Sequence, residues 1–172
     1  MADSAANTRH AEILIIGSGP AGWTAGIYGA RAMRDVLVVT GIQPGGQLTI
    51  TTEVENYPGF TEIQGPELMV KMQEHAEAMG AKVADDHIAS VDFDVRPFRA
   101  VGESGTVYTA DSVVISTGAQ AKWLDLPTEQ KFKGFGVSAC ATCDGFFYRG
   151  REVLVVGGGN TAVEEALFLT NF

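Results

Sequence analysis

The chain holds only two cysteines, three residues apart in Cys140-Ala141-Thr142-Cys143-Asp144. Two intervening residues let the sulfurs meet within one turn and cycle between dithiol and disulfide. Such a setting raises the thiolate fraction that performs exchange. Asp144 adjoins the pair. A carboxylate there can trade a proton with a departing thiolate, or it can serve as a turn or cap residue, and residue type leaves both readings open. The cysteines have plainer readings too: a buried pair, or half a metal site. The nearest histidine in sequence, His87, is more than fifty residues away. One pair without two further ligands makes a poor zinc site, so a redox dithiol is expected and no metal.

Two glycine runs point to phosphate. Gly17-Ser18-Gly19-Pro20-Ala21-Gly22 fits G-x-G-x-x-G, and Gly157-Gly158-Gly159-Asn160-Thr161-Ala162 fits G-x-G-x-x-A. In this motif the first glycine permits a tight turn, the second lets backbone approach a pyrophosphate, and the third lets helix and strand pack closely. The helix N-terminus then offers free N–H groups to phosphate oxygens. A plain glycine turn is the alternative in each case. Two such turns suggest two dinucleotides, and a flavin with a nicotinamide is the economical pair, because hydride passes readily between them. The second strand ends in Thr40-Gly41 rather than an acidic residue, so the ribose contact must differ from the usual one. The residues that separate NAD from NADP are expected about 20 positions beyond the second glycine run, past Phe172.

The elements that must position these groups are legible as apolar runs and breakers. Glu12 to Ile16 and Val36 to Val39 read as buried parallel strands, with a helix from Pro20 to Arg31 between them, a βαβ unit. Gln43 to Thr52 reads as an irregular loop and Tyr57-Pro58-Gly59 as a turn. Gly65-Pro66 opens a helix that ends at Gly80, with Leu68, Met69, Met72, Ala76 and Met79 as its core-facing stripe. Val91 to Thr109, broken at Arg96-Pro97 and Gly102 to Gly105, suggests a small antiparallel excursion. Ser112 to Ser116 reads as another buried strand closed by Thr117-Gly118. Ala119 to Gly136, with Pro127, reads as a linker. Glu152 to Val156 reads as a buried strand and Asn160 to Leu169 as a helix.

Composition bounds the function classes. There are 21 glycines in 172 residues, well above the usual share of about 7%. The net charge of −9 argues against a non-specific nucleic-acid binder. No apolar run approaches the roughly 18 residues of a membrane helix. Met1 to Glu12 has no signal-peptide core, which argues against export and against a disulfide framework. Residues 120–151 hold five basic side chains (Lys122, Lys131, Lys133, Arg149, Arg151) and three acidic ones (Asp125, Glu129, Asp144). Phe146, Phe147 and Tyr148 follow the cysteines directly. Either this is a core strand with scattered solvated charge, or it is a docking surface for an acidic redox protein.

Together these residues resemble bacterial low-molecular-weight thioredoxin reductases. The resemblance runs through Gly17 to Gly22, Gly45-Gly46-Gln47-Leu48, Thr52-Glu53-Val54-Glu55-Asn56, Val137 to Tyr148 and Gly157 to Ala166, in the family's order and spacing. It implies an α/β protein: a Rossmann-like, three-layer FAD-binding domain over 1–118, then the start of a second Rossmann-like, NADPH-binding domain over 119–172. It implies that Gly17 to Gly22 cradle the FAD pyrophosphate. Thr40, Gly41, Gly45, Gly46, Gln47 and Asn56 would line the rest of that site. Thr117, Gly118 and Ala119 match the crossing point between domains, where Ser116 stands in place of the family's usual alanine. Gly157, Gly159, Asn160, Thr161 and Ala162 would hold NADPH. Cys143 would be the flavin-side sulfur, Cys140 the attacker of thioredoxin's disulfide, and Asp144 the proton donor. Electrons would run from NADPH through FAD and the cysteine pair to thioredoxin, in a cytoplasmic homodimer whose NADPH domain swings. The alternatives are a related flavin-dependent dithiol oxidase or peroxiredoxin reductase, or a non-catalytic fragment. The family is nearly twice as long, so residues 1–172 alone are expected to bind FAD weakly and to lack NADPH-dependent thioredoxin reduction.

Overall fold

A computed structural model describes residues 7–172; the reading of the N-terminus as free of a signal peptide falls, for residues 1–6, outside them. The chain divides into two compact units, Met1–Gly118 and Ala119–Phe172. The first is built around the βαβ unit. Strand β1 (Thr8–Ile16) starts earlier than its apolar run, because Thr8 to Ala11 pair in parallel with β8 (Val107–Ile115). Helix α1 (Pro20–Arg31) and β2 (Val36–Val39) follow at the expected bounds. Pro20 stands where a missing N–H costs nothing. A two-stranded ribbon, β3 (Glu53–Val54) with β4 (Ile63–Gln64), leads into α2 (Gly65–Ala78) and β5 (Lys82–Ala84). The antiparallel excursion is β6 (Ile88–Asp92) and β7 (Phe98–Gly102), the latter pairing back onto β8.

All six larger strands form one sheet in the order β5-β2-β1-β8-β7-β6, parallel across the first four and antiparallel beyond. Alternation along β1 and β2 sends Ile15, Val36 and Val38 into one core with Trp23, Ile27, Leu68, Met69 and Met72 of α1 and α2. It sends Leu14, Ile16, Leu37 and Val39 into a second core with Ala100 of β7 and Tyr108 and Ala110 of β8. Each fully buried side chain of this size contributes about 1.5–3 kcal/mol. Small residues let α1 lie close to the sheet: a Cβ on Gly29 would stand 2.9 Å from Val36 Cγ2.

Several expectations are corrected. The C-terminal half of β8 is only partly covered: Ser112 is exposed and Ile115 is 65% exposed. The loop from Gln43 to Thr52 contains a 3-10 turn, Gly46–Ile50. In the second unit, Ala119 to Gly136 is not a bare linker. Pro127 opens a short helix, α3 (Pro127–Phe132), and the buried Glu129 carboxylate accepts the Leu124 and Leu126 N–H groups at 2.9 and 3.0 Å. Glu152 to Val156 forms no strand, and Leu154 is 87% exposed. A strand needs a neighbour for its N–H and C=O groups, and none among the described residues pairs with it. Two further helices, α4 (Ala141–Asp144) and α5 (Asn160–Leu169), complete the unit.

Candidate functional site

In the first unit the glycine turn sits where β1 ends and α1 begins. Gly17 has φ +109°, and a Cβ there would collide with the Ser116 carbonyl oxygen. A Cβ on Gly22 would collide with the Gly17 carbonyl oxygen. The first and third glycines are thus fixed by sterics. Gly19 caps the helix, and nothing stands within 4 Å of where its Cβ would be, so the N-terminus of α1 is open to an approaching group. A phosphate placed there would meet unpaired backbone N–H groups.

Ser18 gathers the rest of the site. Its buried hydroxyl donates to Thr40 O at 2.8 Å and accepts the Gly45 N–H at 3.0 Å. One side chain therefore joins the glycine turn, the end of β2 and the Gly45-Gly46 loop. Gln43 Nε2 donates to Gly46 O at 3.1 Å and braces that loop. A Cβ on Gly46 would lie 3.6 Å from Gly19 Cα. Ser116, the departure from the family pattern, donates through its hydroxyl toward Ile16 O and Gly17 O at 3.0 and 3.1 Å. Thr117 lies beside Gly17, and Gly118 follows with φ +67°. Gln47 lies in the 3-10 turn and is exposed, and Asn56 is exposed beyond β3. Neither is drawn into the Ser18 hydrogen bonds.

Sequence reasoning missed two carboxylates. Asp85 and Asp86 follow β5, the parallel neighbour of β2, beside Thr40-Gly41. Thr40 Oγ1 donates to Asp85 Oδ1 at 3.1 Å, and Gly41 N–H donates to Asp86 O at 2.9 Å. Both acids thus stand next to the end of β2; the Asp-Asp pair after a short apolar run is the available signal. Asp86 also ties the excursion down. Burial pushes its carboxyl pKa up, but hydrogen bonds from Ser104, Tyr108 and the Ser104 and His87 N–H groups outweigh that and hold it at about 2.

In the second unit Cys140 and Cys143 are joined as a disulfide, with Cα atoms 5.3 Å apart. Cys140 caps α4. Its Sγ accepts the Cys143 N–H at 3.3 Å and lies 3.3 Å from Thr142 Oγ1. Ser138 Oγ accepts the Cys140 N–H at 3.0 Å and sets the entry to the turn. Asp144 N–H closes the turn on Cys140 O at 3.1 Å. The Asp144 side chain makes no capping hydrogen bond to the 3-10 turn Gly145–Tyr148 that follows, which removes the cap as the reason for an acid there. The aromatics are not a core strand: Phe146 and Phe147 are 62% and 50% exposed on that 3-10 turn.

The second glycine turn is the simpler of the two. Gly157 has φ +142°, and its Cβ would stand 3.0 Å from Ala162 Cβ. Gly158 and Gly159 face open space, Gly159 caps α5, and Asn160 and Thr161 form its first turn. Val155, Gly157, Ala162, Val163 and Leu167 line an open groove of about 340 Å³ beside it.

These features, a CxxC disulfide in a chain with two glycine-rich turns that each open a helix, have a counterpart in known proteins. Residues 11–172 match the family described as pyridine nucleotide-disulphide oxidoreductase. The chain belongs to that family. It is 61% identical over 166 residues to a thioredoxin reductase from Vibrio cholerae, covering 96% of this chain and 52% of that protein. It is 57% identical over 164 residues to a glucosaminate ammonia-lyase from Pseudomonas fluorescens, covering 95% and 51%. Among solved structures, thioredoxin reductase from Giardia duodenalis superposes with a TM-score of 0.88 at 46% identity, over 95% of this chain and 53% of that one. The chain spans about half the length of the curated relatives it matches. Membership of the pyridine nucleotide-disulphide oxidoreductases accords with the mixed α/β, largely parallel sheet of the first unit. Among the described residues no helix is long and apolar enough to cross a membrane.

Proposed function

We propose that this chain carries the flavin-binding and redox-active portion of a thioredoxin-disulfide reductase. The observation that carries the reading is the Cys140–Cys143 disulfide followed by an uncapped Asp144, in a chain with two dinucleotide-type glycine turns. Residues 1–118 would hold FAD at Gly17 to Gly22, with Thr40, Gly41, Gly45, Gly46, Gln47, Asn56, Thr117, Gly118 and Ala119 around it. Residues 119–172 would open the NADPH-binding domain, with Gly157, Gly159, Asn160, Thr161 and Ala162 at its phosphates. The glycine cradles and open helix N-termini fit both groups. When bound, flavin and nicotinamide supply the hydride and electron-pair transfer that no side chain can perform.

The chain's own residues perform the disulfide exchange. Once the pair is reduced, the Cys140 thiolate attacks one sulfur of thioredoxin's disulfide. A mixed disulfide forms and one thioredoxin thiolate departs. Cys143 then attacks Cys140 Sγ, the intramolecular disulfide returns, and thioredoxin leaves as a dithiol. Asp144, in its protonated form, gives a proton to the departing thiolate. The cytoplasm and a homodimer complete the reading, supported by the resemblance to bacterial reductases.

The test is disulfide exchange by the purified chain, its Cys140–Cys143 pair first reduced chemically, with oxidised thioredoxin against oxygen and a small disulfide as acceptors. NADPH is not used, because residues 1–172 alone are expected to lack NADPH-dependent turnover. Thioredoxin reduction that vanishes in Cys140→Ser and Cys143→Ser supports the reading. Oxidation of the pair by oxygen alone, independent of thioredoxin, would replace it with a dithiol oxidase.

A further inference from the structure

The two hydrogen bonds around the disulfide are directed at one sulfur. Cys143 N–H donates to Cys140 Sγ at 3.3 Å, and Thr142 Oγ1 lies 3.3 Å from the same atom. A disulfide sulfur carries no hydrogen, so in this pair the Thr142 hydroxyl is the donor. The Cys143 N–H is held in place by α4, whose turn closes through Asp144 N–H on Cys140 O. Thr142 is exposed and its hydroxyl hydrogen-bonds the sulfur rather than a backbone carbonyl, so it is free to follow the sulfur.

We propose that Thr142 is a catalytic residue of the exchange: its hydroxyl, with the Cys143 N–H, holds negative charge on Cys140 Sγ and so makes Cys140 both the leaving sulfur and the attacking one. When one thiolate of a dithiol reductant attacks Cys143 Sγ, a mixed disulfide forms there, the Cys140–Cys143 bond breaks and its electron pair departs on Cys140 Sγ, the atom that already has two donors. The reductant's second thiolate then closes the reductant's own disulfide and frees Cys143. Hydrogen bonds to a charged acceptor are stronger than those to a neutral one, so both donors contribute more to the thiolate than to the disulfide. The thiolate then attacks one sulfur of the protein substrate's disulfide; its pair becomes the new S–S bond, and the substrate's S–S bond breaks with its other sulfur leaving as a thiolate. The proposal rests on the reading of Cys140 as the attacking sulfur and adds what makes it so.

The charged groups on the elements packed against this turn are Asp144 on α4 itself and Glu164 and Glu165 on α5, which meets the turn through Leu169 beside Gly145. All three are unchanged in Thr142 variants, so their fields cancel in the comparison.

The experiment is the pH profile of iodoacetamide alkylation of the reduced protein, with Cys140 and Cys143 followed separately by peptide mass spectrometry. The variants are Thr142→Val, which keeps shape and loses the donor, and Thr142→Ser, which keeps the donor. In Thr142→Val the half-maximal pH for Cys140 is expected to rise by about one unit, with alkylation near neutral pH falling up to about ten-fold. Cys143 should not follow, and Thr142→Ser should restore the wild-type profile. An unchanged Cys140 profile in Thr142→Val would overturn the proposal. So would a Thr142→Ser variant as slow as Thr142→Val, which would assign the effect to the methyl group. If Thr142→Val fails to fold, Thr142→Ala against Thr142→Ser puts the same question. A wild-type protein that alkylates as expected but does not reduce thioredoxin would remove the assigned substrate and leave this inference standing.

Discussion

The two glycine turns share a sequence pattern and differ in how they are held. Gly17 to Gly22 lies between two paired strands, and Ser18, Ser116, Thr40 and Gly45 tie it from three sides. Gly157 to Ala162 follows a segment that pairs with no strand among the described residues, and its close contact is Gly157 against Ala162. The motif specifies a local turn and a helix start. Rigidity of the turn comes from neighbours far away in sequence.

The sharpest way to break this comparison is to crowd the tied turn. Gly22→Val should destabilise the first unit by about 3 kcal/mol or more, because its Cβ overlaps the Gly17 carbonyl and core overpacking of this kind costs about 1–3 kcal/mol even without a backbone clash. Thermal unfolding measures it. Ala162→Val in the second turn should cost less, and an equal loss would mean that the two turns are held alike.

Ser18→Ala removes a buried donor and strands the Gly45 N–H, so a loss of about 1–3 kcal/mol is expected. Flavin affinity should fall with it as the Gly45-Gly46 loop is released. Denaturant midpoints and a flavin fluorescence titration read the two effects, and unchanged values in both would remove Ser18 from the centre of the site.

Acid should separate the units next. The Asp86 carboxyl is lowered from 3.8 to about 2 in the folded chain, so its contribution is complete above about pH 4 and is lost as pH falls toward 2. Discounted for solvent screening, that is about 1 kcal/mol. Asp86→Asn should flatten this part of the stability profile of the first unit. A profile as steep as wild type's would assign the acid sensitivity elsewhere.

The smallest effect concerns the basic segment of the second unit. Lys131→Glu, Lys133→Glu and Arg149→Glu together should weaken thioredoxin binding several-fold at low salt and little at high salt. Binding that ignores these changes would leave Phe146 and Phe147 as the contact instead.

The sequence was most legible where local signals and packing agree. Helix α1 runs from Pro20 to Arg31 as read, because Pro20 favours a first turn and the small residues along α1 have a sheet to meet. Helix α2 ends before Gly80, whose φ of +106° suits a residue without a side chain. Glu152 to Val156 misled for the opposite reason: its apolar run is as good as that of β2, but a strand is a relation between segments, and periodicity cannot supply the partner. Ala119 to Gly136 reads as a linker in sequence, yet Pro127 begins a helix that Glu129 braces. Asp85 and Asp86 were missed because their role depends on β5 lying next to β2, a fact of topology. Of the candidate site, the glycine cradles and the cysteine pair were legible. The Ser18 and Thr142 hydrogen bonds were not, since they depend on which atoms folding brings within reach.

The central claim is that Cys140 is the sulfur that exchanges with thioredoxin. The most direct measurement is trapping. A Cys143→Ser protein is mixed with thioredoxin whose resolving cysteine is serine and whose remaining cysteine carries an aromatic disulfide, and the product is mapped by mass spectrometry. A covalent adduct through Cys140, with release of the aromatic thiol, is the predicted result. An adduct that forms through Cys143 in Cys140→Ser and fails to form in Cys143→Ser would contradict it.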